Sequence, residues 1–191
     1  MMHLLPLELA GAQIPSAGAV MGQADAENFP VAMRALSREH RRWLLAVYGF
    51  ARLADELGDE LAGDRLAALD WLEAELDRAY AGSAHHPLLV RLQQTLAECV
   101  LPREAFMRLI DANRLDQRSR RYESWEQLQV YCSLSANPVG ELVLGVFELA
   151  SPERIELSDR VCTALQLVEH IQDLGEDVRR GRYYLDRKSV V

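Results

Sequence analysis

Helix start and stop signals punctuate this chain at almost every boundary, and that feature limits its fold most. Pro30 suits a first helical position, so a short helix is expected over 31–36. Ser37 can cap a long helix running to about Leu61, with Gly63 past its end. Asp64 can cap a helix over Arg65–Ala81 that Gly82 stops, with Leu66, Leu69, Leu72 and Leu76 at helical spacing. Helices are expected next over Pro87–Cys99 and Arg103–Arg118. Ser124 and Gln127 form a capping box that opens a helix containing Tyr131. Asn137-Pro138 kinks that helix before it continues to Leu149. Ser151-Pro152 reads as a turn, and Ser158 as the cap of a last helix to about Arg180, with Gly181 as its stop. No run of β-branched residues alternates and no Asn-Gly hairpin occurs, so the fold class is all-α.

Composition agrees. The chain has 191 residues, enough for one domain with a real core. It is 49% hydrophobic and 26% charged, as globular proteins are, and the abundant Ala and Leu favour helices. A net charge of -8 argues against a nucleic-acid partner, which needs a basic footprint, and is compatible with cation binding. Cys99, Cys132 and Cys162 match no zinc spacing and read as reduced thiols of a cytoplasmic protein. No apolar run approaches the ~20 residues of a membrane span; the best, Pro138–Ala150, is broken by Glu141 and Glu148. Residues 1–26, rich in Gly, Ala and Pro without a sustained period, read as a flexible leader without the basic start of a signal peptide.

Two acidic segments carry the chemistry. Asp55 and Asp59 stand four apart on a helix, which puts them on one face about 6 Å apart along the axis. Like charges repel there, and Gly58 weakens the helix by about 1 kcal/mol relative to Ala. One such pair alone is most simply a solvated acidic helix end. Asp173 and Asp177 repeat the spacing in another helix, again with a Gly between them. Two pairs facing each other across a helical core would repel without cations. With Mg²⁺, which takes one or two carboxylates plus phosphate oxygens, they would form a diphosphate clamp. Arg52 precedes the first pair by a turn, and Arg179, Arg180 and Arg182 follow the second. Arginine matches phosphate oxygens bidentately, although cations at a helix end also simply complement its dipole.

The ordered set of motifs resembles the squalene/phytoene synthase family of head-to-head prenyl-diphosphate enzymes. The strings that carry the resemblance are Glu27-Asn28-Phe29-Pro30-Val31-Ala32 and Val47-Tyr48-Gly49-Phe50-Ala51-Arg52-Leu53-Ala54-Asp55. Arg121-Tyr122-Glu123, Tyr131-Cys132 and Ser135-Ala136-Asn137-Pro138-Val139-Gly140 follow. The last are Gln172-Asp173, Gly175-Glu176-Asp177 and Arg180-Gly181-Arg182-Tyr183-Tyr184-Leu185. Within the family, Glu27 to Pro30 and Val168-Glu169-His170 to Gln172-Asp173 look most like the hopanoid-pathway branch, with phytoene synthase of carotenoid biosynthesis as runner-up.

That resemblance implies an isoprenoid-synthase-type helical bundle around a central cavity and loss of diphosphate from presqualene diphosphate to give hydroxysqualene. It implies Mg²⁺ on Asp55, Asp59, Asp173 and Asp177, with Glu169 a further candidate ligand, and diphosphate on Arg52, Arg179, Arg180 and Arg182. Phe29, Tyr48, Tyr131 and Gln166 would line the prenyl cavity. A cytoplasmic protein touching the membrane peripherally to release a lipid, and working beside enzymes of the same pathway, completes the picture. Two positions depart from the pattern: Glu169 stands where many relatives have Asn, and Gln172 replaces a common Arg. Relatives also continue past the Tyr-Leu motif with further helices, so 27–185 reads as an incomplete domain and 186–191 as a divergent tail. A chain lacking those helices should expose apolar surface and be weakly active or inactive alone.

Other residues carry less. His40, His85, His86 and His170 have no metal-ligand spacing, Trp43, Trp71 and Trp125 read as packing residues, and Ser133 and Ser135 have no base partner. Rival readings are a non-catalytic helical remnant or assembly partner, and a bundle using its acidic pairs for structural metal only.

Overall fold

A computed structural model describes residues 8–9, 12–22, 35–119 and 121–179, the side chains of residues 8, 9, 12, 176 and 177 excepted. The expected helix over 31–36 lies largely outside these residues. The described residues fall into two compact units, one ending at Arg103 and the other beginning at Glu104. Helix dominates both, as the cap signals required.

The first unit opens inside the expected flexible leader, which carries regular elements. Strands β1 (Glu8–Leu9) and β2 (Ala12–Gln13) pair antiparallel. Helix α1 (Ala17–Met21) follows, its Ser16 hydroxyl accepting from the Ala19 N–H. Ile14 and Val20 are buried. Helix α2 (Arg38–Asp55) starts at Ser37 as expected, the hydroxyl accepting from the His40 N–H at 3.1 Å. Its apolar stripe buries Leu44, Val47, Phe50, Leu53 and Ala54. Gly49 on this stripe admits two neighbours: a Cβ there would stand 3.1 Å from Leu88 Cδ2 and 3.3 Å from Met21 Sδ.

Helix α3 (Arg65–Tyr80) is capped by Asp64 and followed by Gly82 at φ +78, a left-handed backbone that glycine tolerates. Leu69, Leu72 and Leu76 are wholly buried; each contributes roughly 1.5–3 kcal/mol over exposure. Helix α4 (Pro87–Leu96) begins with proline at its first turn and ends earlier than the expected Cys99. Glu75 on α3, only 2% exposed, binds the connector that leads to α4. Its carboxylate accepts from the backbone N–H of His85 and of His86, both at 3.0 Å, and from Arg78 at 2.6 Å. Burial raises its pKa, but these hydrogen bonds outweigh burial and leave it below the ordinary carboxylate value.

The second unit holds helices α5 (Arg103–Asp116, whose first residue closes the first unit), α6 (Trp125–Ser135), α7 (Asn137–Val146), α8 (Pro152–Gln172) and α9 (Leu174–Arg179). Phe106 and Ile110 are buried, and Ala112, Tyr122, Leu128, Tyr131 and Cys132 form a core cluster with Leu167 against it. Ser124 caps α6 through the Gln127 N–H, while the Gln127 side chain returns to the Glu123 N–H rather than to that of Ser124. The expected kink is a full break at Ala136, after which Pro138 sits in the first turn of α7.

The last long helix starts a turn and a half before its expected cap. Ser151, expected in a turn, accepts from the Arg154 N–H and opens α8, with Pro152 at its first position. Ser158 lies inside the helix and meets α7 instead: a Cβ on Gly140 would overlap Ser158 Oγ and Cys162 Sγ. Close by, the Thr163 hydroxyl donates to Asn137 Oδ1 at 3.0 Å. Gly140 and Asn137 together hold α7 and α8 at near-backbone distance.

Candidate functional site

The first acidic segment is not an ordinary α-helix. After Asp55 the chain widens into a π turn over Glu56–Glu60, closed by the Leu61 N–H donating to the Glu56 carbonyl at 3.0 Å. Such i→i+5 turns are rare and frequent at functional sites. The expected helix to Leu61 therefore ends its α portion at Asp55, between the two carboxylates of the pair. Leu57 and Gly58 turn inward and are buried, while Asp55 is exposed and Asp59 half-buried. Arg52 lies 3.5 Å from Glu60 and 3.9 Å from Glu56, so its guanidinium already offsets two neighbouring carboxylates. Tyr48, one turn earlier, is half-buried.

The second segment sits at the end of α8. Gln166, Glu169 and Asp173 follow at helical spacing along one ridge, continuing the line of Ser158 and Cys162 that fills the Gly140 notch. Asp173 itself ends α8, and a fresh short helix, α9, follows it. The backbone of Asp177 lies in α9, and its side chain is outside the described residues. Lost hydration and the neighbouring Asp173 carboxylate push the Glu169 carboxyl above its ordinary value. Arg179 is exposed, and its Nε donates to the Gly175 carbonyl at 2.9 Å, the helix-end contact that was the alternative to phosphate binding. Arg180, Arg182 and Phe29 lie outside the described residues.

Between these positions α8 is apolar and open. Leu157, Val161, Leu165, Val168 and Ile171 recur at spacings of three and four, each at least half exposed.

Tyr131 is buried beside this ridge. Its hydroxyl donates to Asp116 Oδ2 at 2.8 Å, and its ring lies 5.9 Å from that of His170. Burial holds His170 at a pKa of about 4, against an opposing pull from Asp173. Sequence reasoning passed over Asp116 because nothing in its local pattern points to residues 6 and 15 positions further on. Cys132, next to Tyr131, is a free thiol that burial pushes up to about 11, so it is no nucleophile.

The donors fit Mg²⁺ in kind: hard carboxylate oxygens in pairs, with Asp55 and Asp173 open to solvent. Among the described residues, no three His, Cys, Asp or Glu side chains gather into a metal-holding group; the Asp177 side chain is not among them. Two carboxylates per segment leave room for the phosphate oxygens and waters that complete a Mg²⁺ shell.

A mainly helical chain of this topology, with one acidic pair where α2 passes into its π turn and another where α8 passes into α9, has the isoprenoid-synthase fold. It belongs to the squalene/phytoene synthase family, whose model matches residues 23–189. It is 41% identical over 165 residues to a hydroxysqualene synthase of Rhodopseudomonas palustris, covering 84% of this chain and 55% of that protein. A hydroxysqualene synthase of Zymomonas mobilis is 39% identical, over 83% of this chain and 54% of its own length. The crystal structure of a squalene synthase from Alicyclobacillus acidocaldarius superposes with a TM-score of 0.82 at 49% identity, over 87% of this chain and 64% of that one. The chain spans about half the length of the curated relatives it matches. Among the described residues, no helix is long and apolar enough to cross a membrane.

Proposed function

We propose that this chain belongs to a Mg²⁺-dependent enzyme of hopanoid biosynthesis that converts presqualene diphosphate and water into hydroxysqualene and diphosphate. The observation that carries the reading is the pair of Asp-x-x-x-Asp segments inside a region about 40% identical to proteins named hydroxysqualene synthase. A presqualene diphosphate synthase of Rhodopseudomonas palustris is 34% identical and the phytoene synthase of Narcissus pseudonarcissus 31%, so carotenoid synthesis stands as an alternative behind the triterpene reading.

In this reading Asp55, Asp59, Asp173 and Asp177 would hold Mg²⁺, with Glu169 a further candidate ligand beside Asp173. When bound, Mg²⁺ neutralises the leaving diphosphate. Arg52, Arg179, Arg180 and Arg182 hold the diphosphate oxygens; at Arg52 the ligand displaces Glu56 and Glu60, which now share that guanidinium. The ester C–O bond breaks with its electron pair leaving on the diphosphate. Phe29, Tyr48 and Tyr131 are the aromatic side chains that would stabilise the resulting cation, since ring faces favour positive charge. Gln166 and the apolar stripe of α8 line the path of the prenyl chains and limit water to the molecule that adds. That water forms the new C–O bond and releases its proton, so no reductant enters. A lipid product suits a cytoplasmic protein that touches the membrane peripherally.

The test is thermal stability and product analysis. Presqualene diphosphate should raise the melting temperature with Mg²⁺ but not with EDTA, Asp55→Ala should abolish the shift, and any turnover should give hydroxysqualene rather than phytoene. If prenyl diphosphates never stabilise the chain with Mg²⁺ present, the rival readings as remnant or structural-metal bundle take over.

A further inference from the structure

The geometry points to Asp116 as the positioning residue for Tyr131: we infer that one carboxylate, shared by two phenols, sets the ring that forms part of the prenyl-binding wall. The inference rests on the reading of Tyr131 as a cavity-lining side chain.

Asp116 closes α5, where its charge opposes the helix dipole and locally costs about 0.3–1 kcal/mol. A residue placed against local preference is compensated elsewhere, and here the compensation is visible. Oδ1 accepts from the Tyr122 hydroxyl at 3.3 Å and Oδ2 from the Tyr131 hydroxyl at 2.8 Å. Both tyrosines are buried, at 4% and 7% exposure, so neither phenol can substitute bulk water for this partner. Their rings pack at 5.2 Å, tilted by 48°. A carboxylate is the side chain that offers acceptors to two donors at once.

The Tyr131 ring also lies 5.9 Å from the ring of His170, three residues before Asp173. A single acceptor thus joins the end of α5, the connector at Tyr122 and helix α6, and through the ring it reaches the part of α8 that carries the second acidic pair. Without the acceptor, the Tyr131 ring keeps its volume and its ring contacts but loses the 2.8 Å hydrogen bond of its hydroxyl. These two hydrogen bonds of Asp116 run to Tyr122 and Tyr131, so a loss is expected on the prenyl side and little change at the headgroup.

The test is calorimetric titration of the full chain with farnesyl thiodiphosphate, an unreactive prenyl probe, and with inorganic diphosphate, both with Mg²⁺. Asp116→Ala and Tyr131→Phe should each weaken the prenyl probe about tenfold, the loss of one charged hydrogen bond. The double variant should be no worse than either single one, because both delete the same contact. Inorganic diphosphate should bind all variants within about twofold, and Tyr122→Phe should leave both ligands within about twofold. Asp116→Asn, which keeps the shape and drops the charge, gives the same reading if Asp116→Ala folds poorly. Unchanged binding of the prenyl probe, equal loss of both ligands, or multiplying losses in the double variant would each overturn the inference. If the parent chain binds the prenyl probe and the variants bind it equally well, the inference falls alone. If the parent binds neither ligand, the proposed function falls and takes the inference with it.

Discussion

Replacing Gly140 by alanine tests how α7 and α8 are held together. On helix propensity alone the change should stabilise α7 by about 1 kcal/mol. The structure predicts the opposite sign. The new methyl would overlap both Ser158 Oγ and Cys162 Sγ, and each belongs to a short side chain on the interior of α8 with little freedom to turn away. Overpacking of this kind costs about 1–3 kcal/mol, and separating the helices would also strain the hydrogen bond from Thr163 to Asn137. Net destabilisation of about 1–2 kcal/mol follows, or roughly 2–8 °C in melting temperature for a chain of this size. Urea and thermal melts followed by circular dichroism read it directly. Adding Ser158→Ala and Cys162→Ala to Gly140→Ala removes both overlapping atoms and should recover most of the loss. A Gly140→Ala variant as stable as the parent, or more so, would show that the notch is not close-packed and that the α7–α8 account is wrong.

Four further outcomes follow from the same contacts. Ser151→Ala should cost about 1 kcal/mol by removing the α8 cap, whereas Ser158→Ala should cost far less; the reverse order would restore Ser158 as the helix start. Thr163→Val should lose about 1 kcal/mol while Thr163→Ser stays near the parent, measured by urea midpoints. Glu75→Gln should lose about 2 kcal/mol near pH 7, since it removes the charge behind the two bonds that the backbone N–H groups of His85 and His86 make to one oxygen and replaces the oxygen that accepts from Arg78 with an NH2 donor. Glu75 is held below its ordinary value of 4.5, so its contribution is fully present above that pH and is lost as pH falls below it; the variant's melts should show less acid sensitivity between about pH 5 and 3, and parallel curves would contradict the assignment.

What the amino-acid sequence determined by itself was local. Ser37, Asp64 and Ser124 start their helices as read, because an N-cap bond reaches only three residues along the chain. Gly82 ends α3 for an equally local reason, a left-handed backbone. The all-α class was legible from the cap signals and the lack of alternating strand patterns. Competing local signals were decided elsewhere. Ser151 and Ser158 are both competent caps by local pattern; Ser151 caps α8, and the Ser158 side chain instead fills the space that Gly140 leaves on α7. The π turn between Asp55 and Asp59 has no local sequence signature; burial of Leu57 and Gly58 accompanies the wider turn. Asp116 shares its carboxylate with partners 6 and 15 residues away, a meeting made only when α5 and α6 pack. Spacing along a helix is set by covalent geometry and so can be read from the sequence, whereas the partner of a buried polar group is chosen by which helices meet.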